Sequence, residues 1–484
     1  PAYIRHAFAD HLSDQQTYRP LSKEEARSEM NTLSENIRTF ITAYRDENDL
    51  SEGDANFLSN SLALVEDPFP RLYLLFKIHK SPLKTRPIVS VSGSTLHALG
   101  RWVDCQLQPL MKTLPSFIAS SWELKNSLTL LPPLPRNARL FTCNEAGMYT
   151  NINTDHALEG IATFLDSHPL ARGLPANALI AALELVMRCN IFQFGDTYWH
   201  QLCGTAMGTP PAVVYATLYY AIHELSMPTC FKLCLALYKR YIDDGIGIWL
   251  STNPTTWSDF KSWIGSFGTL RWTFTEPSLQ VDYLDITIRI DSEGSIQTTL
   301  YEKALNLYLY LPPHSSHPPG VLTGLIYGMI RRVYRLTSCP DDCFNYLKRF
   351  YRRLRERGYP SETLTPLFEA GLVNRNKPPR KKQSDPTAKN TLFLHVPYHP
   401  ANPSSQDLQS CFKDLLLHPT GATPLPSMST PHLGIECGVN RMIIAYHRPR
   451  NIANLLCPRK LEHTLGPPVS AYLRRDSEGR FVCV

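Results

Sequence analysis

The sequence predicts a mixed α/β (α+β) fold, and three observations predict it. The span from Leu21 to about Leu64 carries apolar residues at helical spacing. Two apolar runs, Leu237 to Tyr241 and Gly245 to Leu250, flank a short acidic turn in the manner of a strand pair. The chain of 484 residues is 43% hydrophobic and 19% charged, ample for buried cores in roughly two to four domain-sized units. No stretch of about 18 apolar residues occurs, so a membrane span is not expected.

The remaining elements follow in order. Ser22 ahead of Lys23-Glu24-Glu25 is a capping signal for the first long helix. Pro68 and Pro70 break that pattern. Arg71 to Ile78 then reads as a strand, Pro82 as a turn and Arg86 to Val91 as a second strand. Trp102 to Met111 resumes helix. After the boundary at Pro132-Pro133-Leu134-Pro135, Ala138 to Cys143 reads as a buried strand. Thr154 is the expected cap of a helix to Leu165, and Ala176 to Cys189 is another helix. Leu270 to Glu276 and Asp282 to Ile290 read as strands, with a hairpin at Ser292-Glu293-Gly294. Beyond Pro312-Pro313 and Pro318-Pro319 come basic helices, a basic linker from about Lys377 to Pro386, and a loosely ordered tail rich in Pro and Ser around Pro403 and Pro424.

The net charge is +6, from 49 Lys and Arg against 43 Asp and Glu, a mild excess that is unevenly spread. Between Arg331 and Arg357 lie nine basic residues, including Arg331, Arg332, Lys348, Arg349, Arg352 and Arg353, opposed only by Asp341, Asp342 and Glu356. Such a cluster favours a phosphate backbone through counterion release. A solvated helix face with a basic linker explains the same charges equally well. The twelve cysteines form no disulfide-like framework. Cys230/Cys234 and Cys339/Cys343 have the spacing of half a zinc site but lack second pairs, so buried thiols in a reducing compartment are expected.

The chemistry centres on Arg240-Tyr-Ile-Asp-Asp-Gly245, where Asp243 and Asp244 sit between apolar strands. Neighbouring carboxylates raise each other's pKa, and burial adds to the cost. Divalent cations relieve that tension: Mg2+ prefers carboxylate oxygen, and two ions can clamp the oxygens of a phosphoryl transfer. An exposed Asp-Asp hairpin tip is the plainer alternative. Around this turn stand Gln201-Leu-Cys-Gly-Thr-Ala-Met-Gly-Thr-Pro-Pro211, in which Gly204 and Gly208 allow close backbone approach to a ligand, followed by a helix from Ala212 to Glu224. Met148-Tyr-Thr-Asn-Ile152 follows the Phe141 strand. Phe76-Lys-Ile-His-Lys80 and Thr85-Arg-Pro-Ile-Val89 place Lys77, Lys80 and Arg86 on a hairpin suited to gripping a triphosphate.

In order and spacing these blocks resemble the reverse transcriptases of Penelope-like retroelements. Further matches are Asp282-Tyr-Leu-Asp-Ile286, Ser316-His-Pro318 with Arg331-Arg332, and Tyr446-His-Arg-Pro-Arg-Asn451 with Leu455-Leu456, so the likeness spans roughly residues 70 to 460. The resemblance implies a right-hand polymerase: an N-terminal helical region (1–65), fingers (66–135), a palm whose antiparallel sheet is backed by helices (136–300), a basic helical thumb (301–385) and a C-terminal extension (386–484). It implies an RNA-directed DNA polymerase that adds dNTPs to a DNA 3′-hydroxyl on an RNA template and acts in the nucleus. Two Mg2+ ions, with Mn2+ as an alternative, would serve as cofactors. Asp243 would ligate metal with Asp244 supporting it, Lys77 and Arg86 would hold the triphosphate, and Tyr149 would exclude a 2′-hydroxyl. Gly208 would lie against the nascent base pair. The helices after Arg331 would grip the duplex.

Three departures stand out. The family has an Asp five residues before the Tyr of Y-T-N-I, whereas this chain has Asn144, an amide that binds Mg2+ poorly. Loss of that support would cost several kcal/mol of transition-state stabilisation. Glu145 would replace it only through a local bulge, since adjacent strand residues face opposite ways. Val213 stands where Pro is usual, and Thr217 where Asn is usual. Nothing resembles the GIY-YIG endonuclease of many members, so no nuclease is assigned to these residues. A catalytically silent nucleic-acid-binding descendant is therefore the main alternative, and an RNA-directed RNA polymerase a second.

Overall fold

The structure, a computed structural model, describes residues 2–77, 83–318, 320–377, 391–412, 441–447, 473–475 and 481–483. The expected class is observed: a mixed α/β chain whose main sheets are built largely of antiparallel pairs. The residues divide into two compact units, Pro1–Asn306 with Arg459–Val484, and Leu307–Pro458. No helix among the described residues is long and apolar enough to cross a membrane.

In the first unit, Ser22 caps the Lys23–Asp46 helix through a full capping box: its hydroxyl accepts from the Glu25 amide at 3.1 Å, and the Glu25 carboxylate accepts from the Ser22 amide at 2.7 Å. The single helix expected to Leu64 is two. Asn48 enters the left-handed region at φ 64°, where Asn is tolerated, and Ser51 caps a second helix, Glu52–Ala63. A further helix, Ala2–Leu12, stacks Phe8 on Phe194 at a ring separation of 3.2 Å.

A five-stranded sheet runs in the order Tyr18–Leu21, Thr197–Gln201, Asn190–Phe194, Arg71–Lys77, Lys84–Ser90. Its last two strands are the expected cationic hairpin. Pairing of Leu75 with Arg86 and of Lys77 with Lys84 puts Lys77 and Arg86 on one face as diagonal neighbours. Lys80 lies outside the described residues. The hairpin Asn190–Phe194/Thr197–Gln201 was not anticipated; it turns through Gly195 at φ 59°.

A four-stranded antiparallel sheet, in the order Leu235–Tyr241, Asp244–Trp249, Arg139–Glu145, Trp272–Phe274, carries the acidic turn. Its buried face packs Phe141 edge-on against Trp257 and Phe260. The helices Thr154–Ser167, Ala176–Arg188 and Ala212–Glu224 complete that core. Asn153, not Thr154, is the cap of the first of these, accepting from the His156 amide at 3.0 Å. Thr154 instead accepts from the Gly204 amide at 3.1 Å, which ties the glycine-rich block to this helix. The strand expected from Asp282 to Ile290 is a hairpin of Gln280–Tyr283 and Ile286–Ile290, turning at Leu284 (φ 51°). No Gly, Asn or Pro marks that turn. It is held from outside by Ser121, which donates to the Asp285 carboxylate, and by the Tyr301 amide on the Asp285 carbonyl. The hairpin at Ser292-Glu293-Gly294 is present, joining Ile286–Ile290 to Ile296–Leu300.

The second unit contains the helices Val321–Leu336, Pro340–Glu356 and Ser361–Val373, packed through Ile330, Val333, Phe350, Leu354 and Phe368. Among the expected nucleic-acid contacts, Arg332, Lys348 and Arg352 are exposed. Arg353 lies over the Tyr308 ring at 3.5 Å, Arg349 lies over Tyr346 at 5.6 Å, and Arg331 is half-buried. Part of the expected loose tail is ordered. Thr391–Pro397 pairs in parallel with Arg441–His447, and Ser405–Phe412 is helical. Pro424, Arg380, Lys381, Lys382, Leu455, Leu456 and the Arg448–Asn451 part of the late motif lie outside the described residues. The thiols are only partly as expected: Cys143 and Cys343 are buried, whereas Cys230 is exposed.

Candidate active site

Tyr241 pairs with Asp244, so Ile242 and Asp243 form a two-residue turn at the tip of the hairpin. Ile242 has φ 56°. A β-branched residue in the left-handed region is strained by about 1–3 kcal/mol and persists only where its surroundings impose it. The imposition is visible. Arg240 is 1% exposed; its Nη1 donates to the Ile242 carbonyl at 2.6 Å, and it forms a two-pronged ion pair with Glu224 at 2.6 and 2.9 Å. Glu224 also accepts from Ser116 Oγ at 2.5 Å, and Arg240 Nη2 donates to the Thr217 carbonyl at 2.9 Å.

The register brings Asn144 opposite Asp244 across 100 residues of sequence, and Asn144 Nδ2 donates to Asp244 Oδ1 at 2.8 Å. The amide thus occupies the place expected of a third acid. Glu145 does not replace it. The strand is regular there, pairing Asn144 with Thr273 and Glu145 with Trp272, and the Glu145 side chain turns inward to 1% exposure. Its Oε1 accepts from Asn151 Nδ2 at 3.1 Å and the Arg271 amide at 3.2 Å. Glu145 thereby fastens the Met148–Asn151 turn that carries Tyr149.

Electrostatics tie the other expected residues to the turn. Burial pushes the Asp243 carboxyl above the usual range, while Arg86, Lys77 and Arg240 pull it back. Burial and the charge of Asp243 push Asp244 up, and the Asn144 hydrogen bond opposes them. Burial and Asp243 push the Tyr149 phenol up to about 12, with Arg86 opposing. Lys77, Arg86, Tyr149, Asn144, Asp243 and Asp244 therefore share one electrostatic neighbourhood. Gly208 borders it too, through a close approach of two backbone segments. At φ 117°, its missing Cβ leaves room for the Val89 carbonyl of the strand Lys84–Ser90, with the Val89 amide donating to the Met207 carbonyl at 2.7 Å. Gly204 likewise accommodates the Tyr149 carbonyl. Both glycines admit the protein's own backbone, and Gly208 is also exposed. A Gly208→Ala change is expected to cost about 1–3 kcal/mol of stability, measured by denaturant unfolding; an unchanged midpoint would contradict the close approach to Val89.

Two carboxylates, Asp243 and Asp244, suit one hard divalent cation. They do not suit the expected pair of ions, because the bridging position is an amide and Glu145 faces away. Among the described residues no group of three His, Cys, Asp or Glu gathers as a metal site. Asp243, Asp244 and Glu145 all have raised pKa values, so the fold binds protons more tightly than the unfolded chain. Their contribution to stability is then full below the ordinary carboxylate range and is lost as pH rises through the raised values. Thermal unfolding in EDTA from pH 4 to 8 is expected to show Asp243→Asn gaining on the parent as pH rises. A difference independent of pH would refute this.

Several of these contacts were not anticipated. Glu224, Ser116 and Tyr283, whose hydroxyl donates to the Asp244 carbonyl at 2.6 Å, all support the turn. Glu224 did carry a signal: it is the only Asp or Glu of the almost wholly buried helix Ala212–Glu224, and a buried acid needs a partner. Of the two smaller departures, Val213 is 41% exposed, and Thr217 is buried with its carbonyl on Arg240.

Comparisons with known proteins add the following. The Animal helix-turn-helix domain family matches residues 309–366. No curated protein matches the chain. Among solved structures, telomerase from Candida tropicalis, truncated from its C-terminal domain, matches with 12% identity and a TM-score of 0.37, over 51% of this chain and 59% of that one. Telomerase from Candida albicans with a fragment of telomeric RNA matches with 8% identity and a TM-score of 0.43, over 66% and 62%. The Sicinivirus RNA-dependent RNA polymerase matches with 15% identity and a TM-score of 0.41, over 65% and 71%. The chain spans about three fifths of the length of the telomerase structures it matches.

Proposed function

We propose that this chain is an RNA-directed DNA polymerase of retroelement type, of the Penelope-like kind that its motifs resemble, whose nucleotidyl transfer is severely depressed in this copy. In this reading the four-stranded sheet is the palm, the Lys77/Arg86 hairpin belongs to the fingers and the helices after Arg331 form the thumb. The observation that carries the reading is the Asn144–Asp244 hydrogen bond at 2.8 Å. It supports a polymerase plan because the register delivers residue 144 to the acidic turn, and impairment because what arrives there is an amide. Lys77 and Arg86 would receive the triphosphate of a dNTP, Tyr149 would close the space beneath the sugar, and Asp243 with Asp244 would hold a Mg2+ or Mn2+ ion. That ion would neutralise charge on the phosphates.

The same hydrogen bond favours a second reading, a silent protein that binds primer–template without extending it. Primer extension on an RNA template, with dNTPs and separately with rNTPs in Mg2+ or Mn2+, tests both. Slow incorporation of dNTPs, abolished by Asp243→Asn, supports a polymerase. Tight primer–template binding with no incorporation, even when Asn144 is restored to Asp, supports the silent binder. Absence of binding at low salt would defeat both readings.

A further inference from the structure

Three consecutive carbonyls of the acidic turn, those of Ile242, Asp243 and Asp244, each accept from a different residue. Arg240 Nη1 donates to Ile242 at 2.6 Å, the Glu145 amide to Asp243 at 3.0 Å and the Tyr283 hydroxyl to Asp244 at 2.6 Å. We propose that Arg240, held by Glu224, and Tyr283 are positioning residues that set the direction of the Asp243 and Asp244 carboxylates toward a bound cation. The proposal rests on the reading of this turn as the cation and nucleotide site.

Burying Arg240 carries a cost. A guanidinium in the interior must be paired, and replacing a whole buried ion pair by apolar residues is often neutral or stabilising, so stability alone does not account for the arrangement. What the pair does contribute is direction. A planar guanidinium places its donors at fixed angles. Nε and Nη2 are engaged by Glu224, Nη2 also reaches the Thr217 carbonyl, and Nη1 is left aimed at Ile242. Glu224 is in turn braced by Ser116, whose carbonyl accepts from the Arg240 amide at 2.7 Å. The Ile242 carbonyl belongs to the same peptide plane as the Asp243 amide, so fixing one fixes the other. With φ 56° at a β-branched residue, the turn would relax if that carbonyl were released. Tyr283 acts from the other side of the turn: its hydroxyl holds the Asp244 carbonyl and so fixes the peptide plane that follows Asp244. Outer supports of this kind orient metal ligands, and their loss typically costs about 10–100-fold in metal affinity.

The test compares Arg240→Lys and the double variant Arg240→Met/Glu224→Met with the parent. Thermal unfolding, hydrogen exchange at the Ile242–Asp244 amides and Mn2+ titration by electron paramagnetic resonance are the three readouts. Tyr283→Phe, which removes only a hydroxyl, is run beside them. The expected result is a folded Arg240→Lys or double variant whose turn amides exchange faster and whose Mn2+ affinity falls by about tenfold or more, with Tyr283→Phe shifting in the same direction. A folded variant at position 240 with unchanged exchange and Mn2+ affinity overturns the proposal. So does failure of both position-240 variants to fold, since the pair would then serve the fold as a whole. If the parent binds no Mn2+ that Asp243→Asn removes, the cation reading falls, while amide exchange still decides the role of Arg240.

Discussion

Asn144→Asp is expected to raise template-directed dNTP incorporation by about two orders of magnitude or more, each factor of ten corresponding to about 1.4 kcal/mol of barrier. In the proposed reading the rest of the site is in place. Residue 144 already lies within hydrogen-bond reach of Asp244, and Lys77, Arg86 and Tyr149 already act electrostatically on or with Asp243. Only the charge at position 144 is missing. The substitution also carries a cost that gives it a second signature. Asn144 donates to Asp244, and a carboxylate cannot; two acids facing each other across the strand pair repel. In EDTA the variant is expected to melt below the parent at neutral pH, and Mg2+ is expected to return more stability to the variant than to the parent. Equal incorporation by parent and variant would show that Asn144 is not what limits the chemistry. A melting curve in EDTA that does not fall would show that the two side chains do not face each other.

The second large effect belongs to Glu224. Glu224→Ala is expected to cost about 3–5 kcal/mol, because it strands the Arg240 guanidinium in an interior where that side chain is 1% exposed. The loss is read by denaturant unfolding. A double-mutant cycle with Arg240→Met isolates the pair: removing both partners is expected to cost less than removing Glu224 alone, so the coupling exceeds the cost of Arg240→Met by itself and is on the order of 3 kcal/mol or more. Additive losses would mean that the two side chains act independently, against the distances of 2.6 and 2.9 Å between them. The exposed Arg38–Glu35 pair makes a useful contrast, since its removal is expected to cost under about 1 kcal/mol.

What could be read from the chain alone was whatever repeats over a few residues. The strands on either side of Asp243-Asp244, the Lys77/Arg86 hairpin, the Ser22 cap, the helix Ala212–Glu224 and the turn at Gly294 all announce themselves through local periodicity, capping chemistry or a turn residue. That Asn144 matters was implied only by the resemblance to a family with Asp at that position. What tertiary structure alone decided was register and facing. The strand Arg139–Glu145 pairs so that Asn144 points to Asp244 while Glu145 points inward to Asn151, and a slip of one residue would exchange them. The break at Leu284, where no Gly, Asn or Pro marks the hairpin, depends on contacts from Ser121 and Tyr301 to Asp285. The close approach of the Val89 carbonyl to Gly208 was hidden for the same reason, and Arg240 found Glu224 on a different element. Hydrophobic pattern and capping act between neighbours in sequence, whereas the partner of a buried charge or a strand edge is chosen by packing between segments far apart, which no local pattern encodes.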